Sequence, residues 1–249
     1  YMGESMELTI PADFKSVIFW GESGDTKPVF MPKGLSMAGS HDLIRFYNLD
    51  LQNTSSANDY IVNFNVEGTV GEILIDNCNI SKTRGVVRVQ SDGAKGSIGS
   101  INIDNCVLTD IGSYGVLQTK VSGFTLNSVS LSNSTVNTLS AGGVLVTQQD
   151  NVHISIDACT FYNCVATGKS FIDINKMSNV TVDVKNTIIG QLYSYTAEST
   201  IKATSVKGIA TTTNLFTTTD CPYNSGYEWG EILSVSSTEL FVNPAEGDF

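Results

Sequence analysis

The sequence predicts an all-β fold: a single-stranded, right-handed parallel β-helix of about 7–8 coils, each about 28 residues long and made of three short strands. Three observations carry this expectation. One octapeptide pattern recurs at a nearly constant spacing, its apolar residues alternate, and an asparagine returns at the same place in the pattern.

The copies are Ile44–Leu51 (IRFYNLDL), Ile73–Ile80 (ILIDNCNI), Ile101–Leu108 (INIDNCVL), Val129–Val136 (VSLSNSTV), Ile154–Phe161 (ISIDACTF) and Val182–Ile189 (VDVKNTII). Their starts step by 29, 28, 28, 25 and 28 residues. A step of 27 back from Ile44 reaches Val17, and 27 forward from Val182 reaches Ile209, both weaker copies. The first and third positions are apolar, as in a strand that buries alternate side chains. The fifth is Asn48, Asn77, Asn105, Asn133 or Asn186, with Ala158 in the remaining copy. Asparagine tolerates the left-handed backbone of a sharp corner. Corners stacked at the strand spacing of about 4.8 Å let the amides hydrogen-bond as a ladder.

A second alternation follows in each period: Val87–Val89, Val116–Gln118, Val144–Val146, Ile172–Ile174 and Ile201–Ala203, with Gly85, Gly115 and Gly143 just ahead of the first three. A third short strand, as in Ser97–Gly99 and Asn151–His153, precedes the next copy. Helices are disfavoured by the abundance of β-branched residues, Asn, Gly and Ser, and a sandwich would not repeat with a fixed phase. Residues 1–249 read as one domain: an N-terminal capping coil over 1–43, regular coils over 44–204, and a C-terminal cover over 205–249 carrying Tyr223, Tyr227 and Trp229.

Composition narrows the function. At 41% hydrophobic and 16% charged, the chain has apolar side chains enough for a continuous core. No apolar run approaches the length of a membrane-spanning helix. A net charge of −11 and the lack of a basic run argue against nucleic acid, although a local basic groove is compatible with an acidic chain. Five cysteines and two histidines, His41 and His153, form no zinc-ligand spacing and no complete disulfide framework. The stacked Cys78 and Cys106 read as small inward fillers.

The repeated corners resemble the pectate-lyase-like β-helix superfamily. More narrowly, the segments Phe19–Glu22 and Lys27–Phe30 near the start and Ser237–Phe249 at the end resemble a group of secreted Bacteroidetes β-helix proteins of unknown function linked to polysaccharide utilisation. The resemblance implies a secreted or cell-surface protein of a Gram-negative bacterium. It further implies an outer-membrane lipid anchor ahead of Tyr1, more chain beyond Phe249, and a polysaccharide as partner. It specifies a fold more than a chemistry.

A β-helix lyase needs a base and a cation facing one reacting centre. The outward row of the second alternation reads Arg88, Leu117, Leu145, Asp173, Lys202, followed by a row of Gln90, Thr119, Thr147, Asn175, Thr204. The catalytic candidates are therefore Arg88, Asp173 and Lys202, but the two leucines hold these charges about 10 Å or more apart at the strand spacing. Asp76 and Asp104 fall on adjacent coils and are the candidates for a calcium ion, the one cofactor the sequence suggests. Sugar binding asks instead for planar side chains beside a groove. The loops before the second alternation supply Tyr60, Arg84, Tyr114, Tyr162, Lys169, Tyr193 and Tyr195 as candidate binding residues. The favoured reading is a non-catalytic carbohydrate-binding or accessory protein. The alternatives are a lyase or hydrolase of a pectin-like glycan, and a structural or adhesive solenoid with protein partners.

Overall fold

The computed structural model describes residues 8–90, 95–140 and 142–249. The chain forms a parallel β-solenoid of about seven turns, with successive turns roughly 28 residues apart. Like residues lie over like. Val17, Ile44, Ile73, Ile101, Val129, Ile154 and Val182 form one buried or half-buried column, each paired in parallel with the next. The short 25-residue step between Val129 and Ile154 keeps that register. At the last step Val182 pairs with Ala210, one residue beyond the Ile209 that the 27-residue spacing indicates.

Three sheets run the length of the stack. The first holds Ser16–Trp20, Gly39–Tyr47, Gly68–Asp76, Ser97–Asp104, Thr125–Ser132 and His153–Asp157. The expected short strand at Ser97–Gly99 is the beginning of one of these longer strands, which continues through the repeat. The second sheet follows the asparagine corner and holds Asp50–Gln52, Asn79–Thr83, Val107–Ile111, Thr135–Leu139 and Thr160–Ala166. The third holds Tyr60–Phe64, Gly85–Val89, Leu117–Thr119, Leu145–Thr147, Ser170–Asp173 and Lys202–Thr204. Thr181–Ile189 and Ala210–Thr217 each run through the corner from the first sheet into the second and pair along their length, so the period persists past residue 205.

The corner explains the repeat. Asn48, Asn77, Asn105, Asn133, Ala158, Asn186 and Asn214 all have φ between 48° and 54°, a left-handed backbone that asparagine adopts more readily than most residues. Gly21 takes the corner in the first coil, where a Cβ would sit 2.0 Å from the Asn48 carbonyl oxygen. The amide column lies at the solvent edge and is interrupted. Asn77 donates to Asn48 (3.2 Å), Asn105 reaches Asn77 at 3.5 Å, and Asn214 donates to Asn186 (2.9 Å). Asn133 and Asn186 donate to Asp104 and Asp157.

The next position inward has a second function besides filling space. Cys78, Cys106, Ser134, Cys159 and Thr187 each donate to the carbonyl two residues back. The sulfur or hydroxyl of Cys106, Ser134 and Thr187 also accepts the backbone N–H of Cys78, Cys106 and Cys159 on the preceding coil. Serine and threonine replace cysteine there because all three offer a small group that both donates and accepts. All five cysteines are free and buried.

Aromatic clusters fill the core towards its ends. Phe19 stacks between Phe30 and Phe46 at 5.0 and 5.1 Å, and Phe171 meets Phe161 and Trp229 at 4.7 and 5.1 Å. Trp229 therefore belongs to the core at the C-terminal end. A short helix, Ser237–Leu240, follows, tied to the stack where Ser237 bonds Asp220 and the Gln191 N–H. Among the described residues no helix is long and apolar enough to cross a membrane.

Candidate functional site

The third sheet presents an outer surface with a cleft beside it. Its strands pair Arg88 with Asn63 and Gln118, Gln118 with Val146, and Val146 with Asp173. The outward row is thus Asn63, Arg88, Gln118, Val146, Asp173, and the row expected from the sequence is one residue out of phase in the middle coils. Leu117 and Leu145 point into the core, and so do Thr119, Thr147 and Thr204, with Thr119 donating to Thr147 at 2.9 Å. The cause is at the bend into each strand. Val116 and Val144 are buried there, as are Leu117 and Leu145 directly after them, so two consecutive apolar residues conceal the parity.

Lys202 lies over Ser170, outside the Asp173 row. Its amine rests 5.6 Å from the Tyr227 ring centroid. Asp173 is paired with Lys120 at 2.9 Å. Arg88 and Asp173 stand three strands apart, about 14 Å at the usual spacing. The three catalytic candidates therefore do not share a reacting centre.

Arg88 joins a different group. A cleft of about 670 Å³ opens beside it, lined by Lys33, Asp59, Tyr60, Asn63, Asn65, Arg84, Arg88 and Gln90 among others. Two of the residues proposed from sequence as sugar contacts, Tyr60 and Arg84, line it, and a third, Tyr114, packs against them. The Arg84 guanidinium lies 4.5 Å from the Tyr114 ring centroid. That of Arg88 lies 4.5 Å from Tyr114 and 4.8 Å from Tyr60, and it donates to the Tyr60 hydroxyl. The two rings meet edge to face at 5.4 Å. Gly85 makes this close approach feasible, since a Cβ there would stand 2.8 Å from the Tyr114 Cβ. Burial pushes the Tyr60 phenol above its ordinary pKa, against the pull of Arg88 and Arg84. Gln90 donates to Asn63 at 2.9 Å, and Asn65 accepts from Ser36.

A second hollow of about 220 Å³ lies further along the same sheet, lined by Gln118, Lys120, Gly143, Lys169, Ser170 and Asp173 among others. Lys169 is placed here. Tyr162, Tyr193 and Tyr195 line neither hollow. Tyr162 belongs to the second sheet, opposite Asn137, where the C-terminal Phe249 covers it at a centroid distance of 5.9 Å. Tyr193 pairs beside that same strand and is half-buried, and Tyr195 follows it in the loop. A tyrosine in a repeat loop carries no mark of which of three faces it joins, so composition alone overcounts the site. Asn63 and Asn65 were legible only through register: Asn63 lies 25 residues before Arg88, its partner on the next coil.

The carboxylates at the corner are already engaged. Asp76 and Asp104 do face each other across adjacent strands. Arg45 pairs with Asp76 at 2.8 Å, while Ser132 and Asn133 donate to Asp104 at 2.6 and 2.8 Å. Among the described residues no group of three or more His, Cys, Asp and Glu is placed to hold a metal ion. His41 is buried between the Phe14 and Ala38 carbonyls, and His153 bonds Thr181 at the surface. Compared with known proteins, the chain matches no family model, no curated protein and no solved structure.

Proposed function

We propose that the protein is a non-catalytic carbohydrate-binding protein that holds an extended glycan along the outer face of its third sheet. The observation that carries this reading is the cleft in which Arg84 and Arg88 stand beside Tyr60 and the side-chain amides of Asn63, Asn65 and Gln90, with Tyr114 packed against both arginines. Amides and guanidiniums suit the hydroxyls of a glycan, while the buried Tyr60 ring and the Tyr114 ring, against which both arginines pack, hold those donors in place. The second hollow begins on the next coil of the same sheet and runs on to Asp173, an arrangement that favours a polymer over a single sugar. Action at the cell surface in polysaccharide use is part of the proposal and rests on the resemblance of the terminal segments.

Binding without turnover is favoured over a lyase because Arg88, Asp173 and Lys202 stand apart, with Asp173 held by Lys120. The test combines affinity electrophoresis on gels carrying neutral and acidic polysaccharides with an absorbance assay for unsaturated lyase products. Retardation without product formation is the expected result. Product formation overturns the non-catalytic reading, and the absence of retardation by every polysaccharide overturns glycan binding.

A further inference from the structure

We propose that Arg84 and Arg88 form an oxyanion-recognition site, so that the preferred glycan carries a carboxylate or sulfate ester. The inference deepens the carbohydrate reading and rests on it.

Both guanidiniums lie 4.5 Å from one ring centroid, that of Tyr114, so the two charges stand within about 9 Å of each other. Like charges held so close repel. Among the described residues neither arginine has a carboxylate within ion-pair distance. Two other cations do have carboxylate partners, Arg45 with Asp76 and Lys120 with Asp173. Asp59 is the one carboxylate lining the cleft among the described residues, against Arg84 and Arg88.

The donors are also pre-aimed. Arg88 spends one N–H on the Tyr60 hydroxyl and is packed between two rings, which restricts its rotamers before any ligand arrives. A guanidinium retains a fork of further N–H donors that matches the paired oxygens of a carboxylate or a sulfate ester. The stacking fixes the plane of that fork. This local positive cleft lies in a chain of net charge −11, whose overall field repels polyanions. Retention of an acidic polymer would therefore come from contact at this site and not from general ion exchange.

The experiment measures binding by isothermal titration to polygalacturonate, its methyl ester, dextran sulfate and dextran, with inorganic sulfate as the small probe. The full chain is compared with Arg84→Gln and Arg88→Gln, and thermal melts confirm folding. Arg88→Lys, which keeps charge and stem, stands in if Arg88→Gln does not fold. The proposal expects an acidic polymer to bind at least tenfold more tightly than its neutral partner, with that preference lost in the Gln variants and reduced in the Lys variant. Preference for polygalacturonate assigns a carboxylate, and preference for dextran sulfate assigns a sulfate ester. Equal binding of neutral and acidic polymers, unchanged in the variants, overturns the oxyanion site while leaving glycan binding intact. Arginine-dependent binding of inorganic sulfate with no polymer bound upholds the oxyanion site and removes the glycan. Absence of binding by every probe overturns both.

Discussion

The guanidinium of Arg88 lies 4.5 Å from the ring centroid of Tyr114, a residue delivered by the loop of the next coil. The contact ties two turns of the solenoid together beside the cleft, and the same ring also carries Arg84. Tyr114→Ala removes the shared face and releases both side chains. Cation–π contacts of this kind are worth about 0.5–2 kcal/mol, so glycan affinity is expected to fall about tenfold, a change of about 1.4 kcal/mol. Tyr114→Phe retains the face and is expected to stay within about twofold. Titration calorimetry on the two variants distinguishes a ring that organises the site from one that merely fills space.

The asparagine column supplies a gain-of-stability prediction. Ala158 holds φ of 52° in the column where five other coils place asparagine between residues 48 and 186. Ala158→Asn offers a residue better suited to that backbone and an amide that can reach Asn133 below. It is expected to raise stability by about 0.5–1 kcal/mol, read as an increase in the urea midpoint at unchanged slope.

Asn105→Ala is the converse. The amide is exposed and reaches Asn77 at 3.5 Å, so the loss combines a long hydrogen bond with a less suitable corner residue. The expected cost is about 1 kcal/mol, near the lower end of the range for losing a buried partner. A loss above 3 kcal/mol in chemical denaturation would mean that the amides bear more of the fold than their geometry indicates.

The buried thiols contribute stability that depends on alkaline pH. Burial pushes Cys159 and Cys164 up to about 12 from an ordinary thiol value of 9.0. The folded state keeps these groups protonated while the unfolded chain ionises them. Their contribution is complete below pH 9 and is lost as pH climbs from about 9 to about 12. Cys159→Ser, which mimics Ser134 in the same column, is expected to fold normally and to show a shallower alkaline decline in unfolding free energy. In the native wild type, iodoacetamide should label none of the five cysteines at neutral pH.

Much of the coil geometry was legible in the sequence because one residue type has one physical job at each corner. Asn77 and Asn105 signal left-handed backbone, and Ile73 and Ile101 signal the inward face. The third sheet was harder to read. Val116 and Leu117 are both buried, so apolarity could not say which residue begins the strand, and the outward row slipped by one. A further column of left-handed backbone at Lys82, Asp110, Thr138 and Asn163 leaves no constant residue signature, since a different type occupies each coil. In the cleft, Tyr60, Arg84 and Tyr114 were identifiable as a set of loop residues, whereas Tyr162 carries the same signature and is covered by Phe249. The difference arises from which sheet each loop meets, a tertiary relationship that one coil's sequence does not encode.

The central claim, that the cleft lined by Arg84 and Arg88 on the third sheet is where ligand binds, is tested most directly by NMR. Arginine Nε–Hε resonances would be followed while an acidic oligosaccharide is titrated into labelled protein, with the exposed Trp20 indole on the first sheet as the reference. The account predicts saturable shifts at Arg84 and Arg88 with Trp20 unmoved. Shifts centred on Trp20, with both arginine signals stationary, would contradict it.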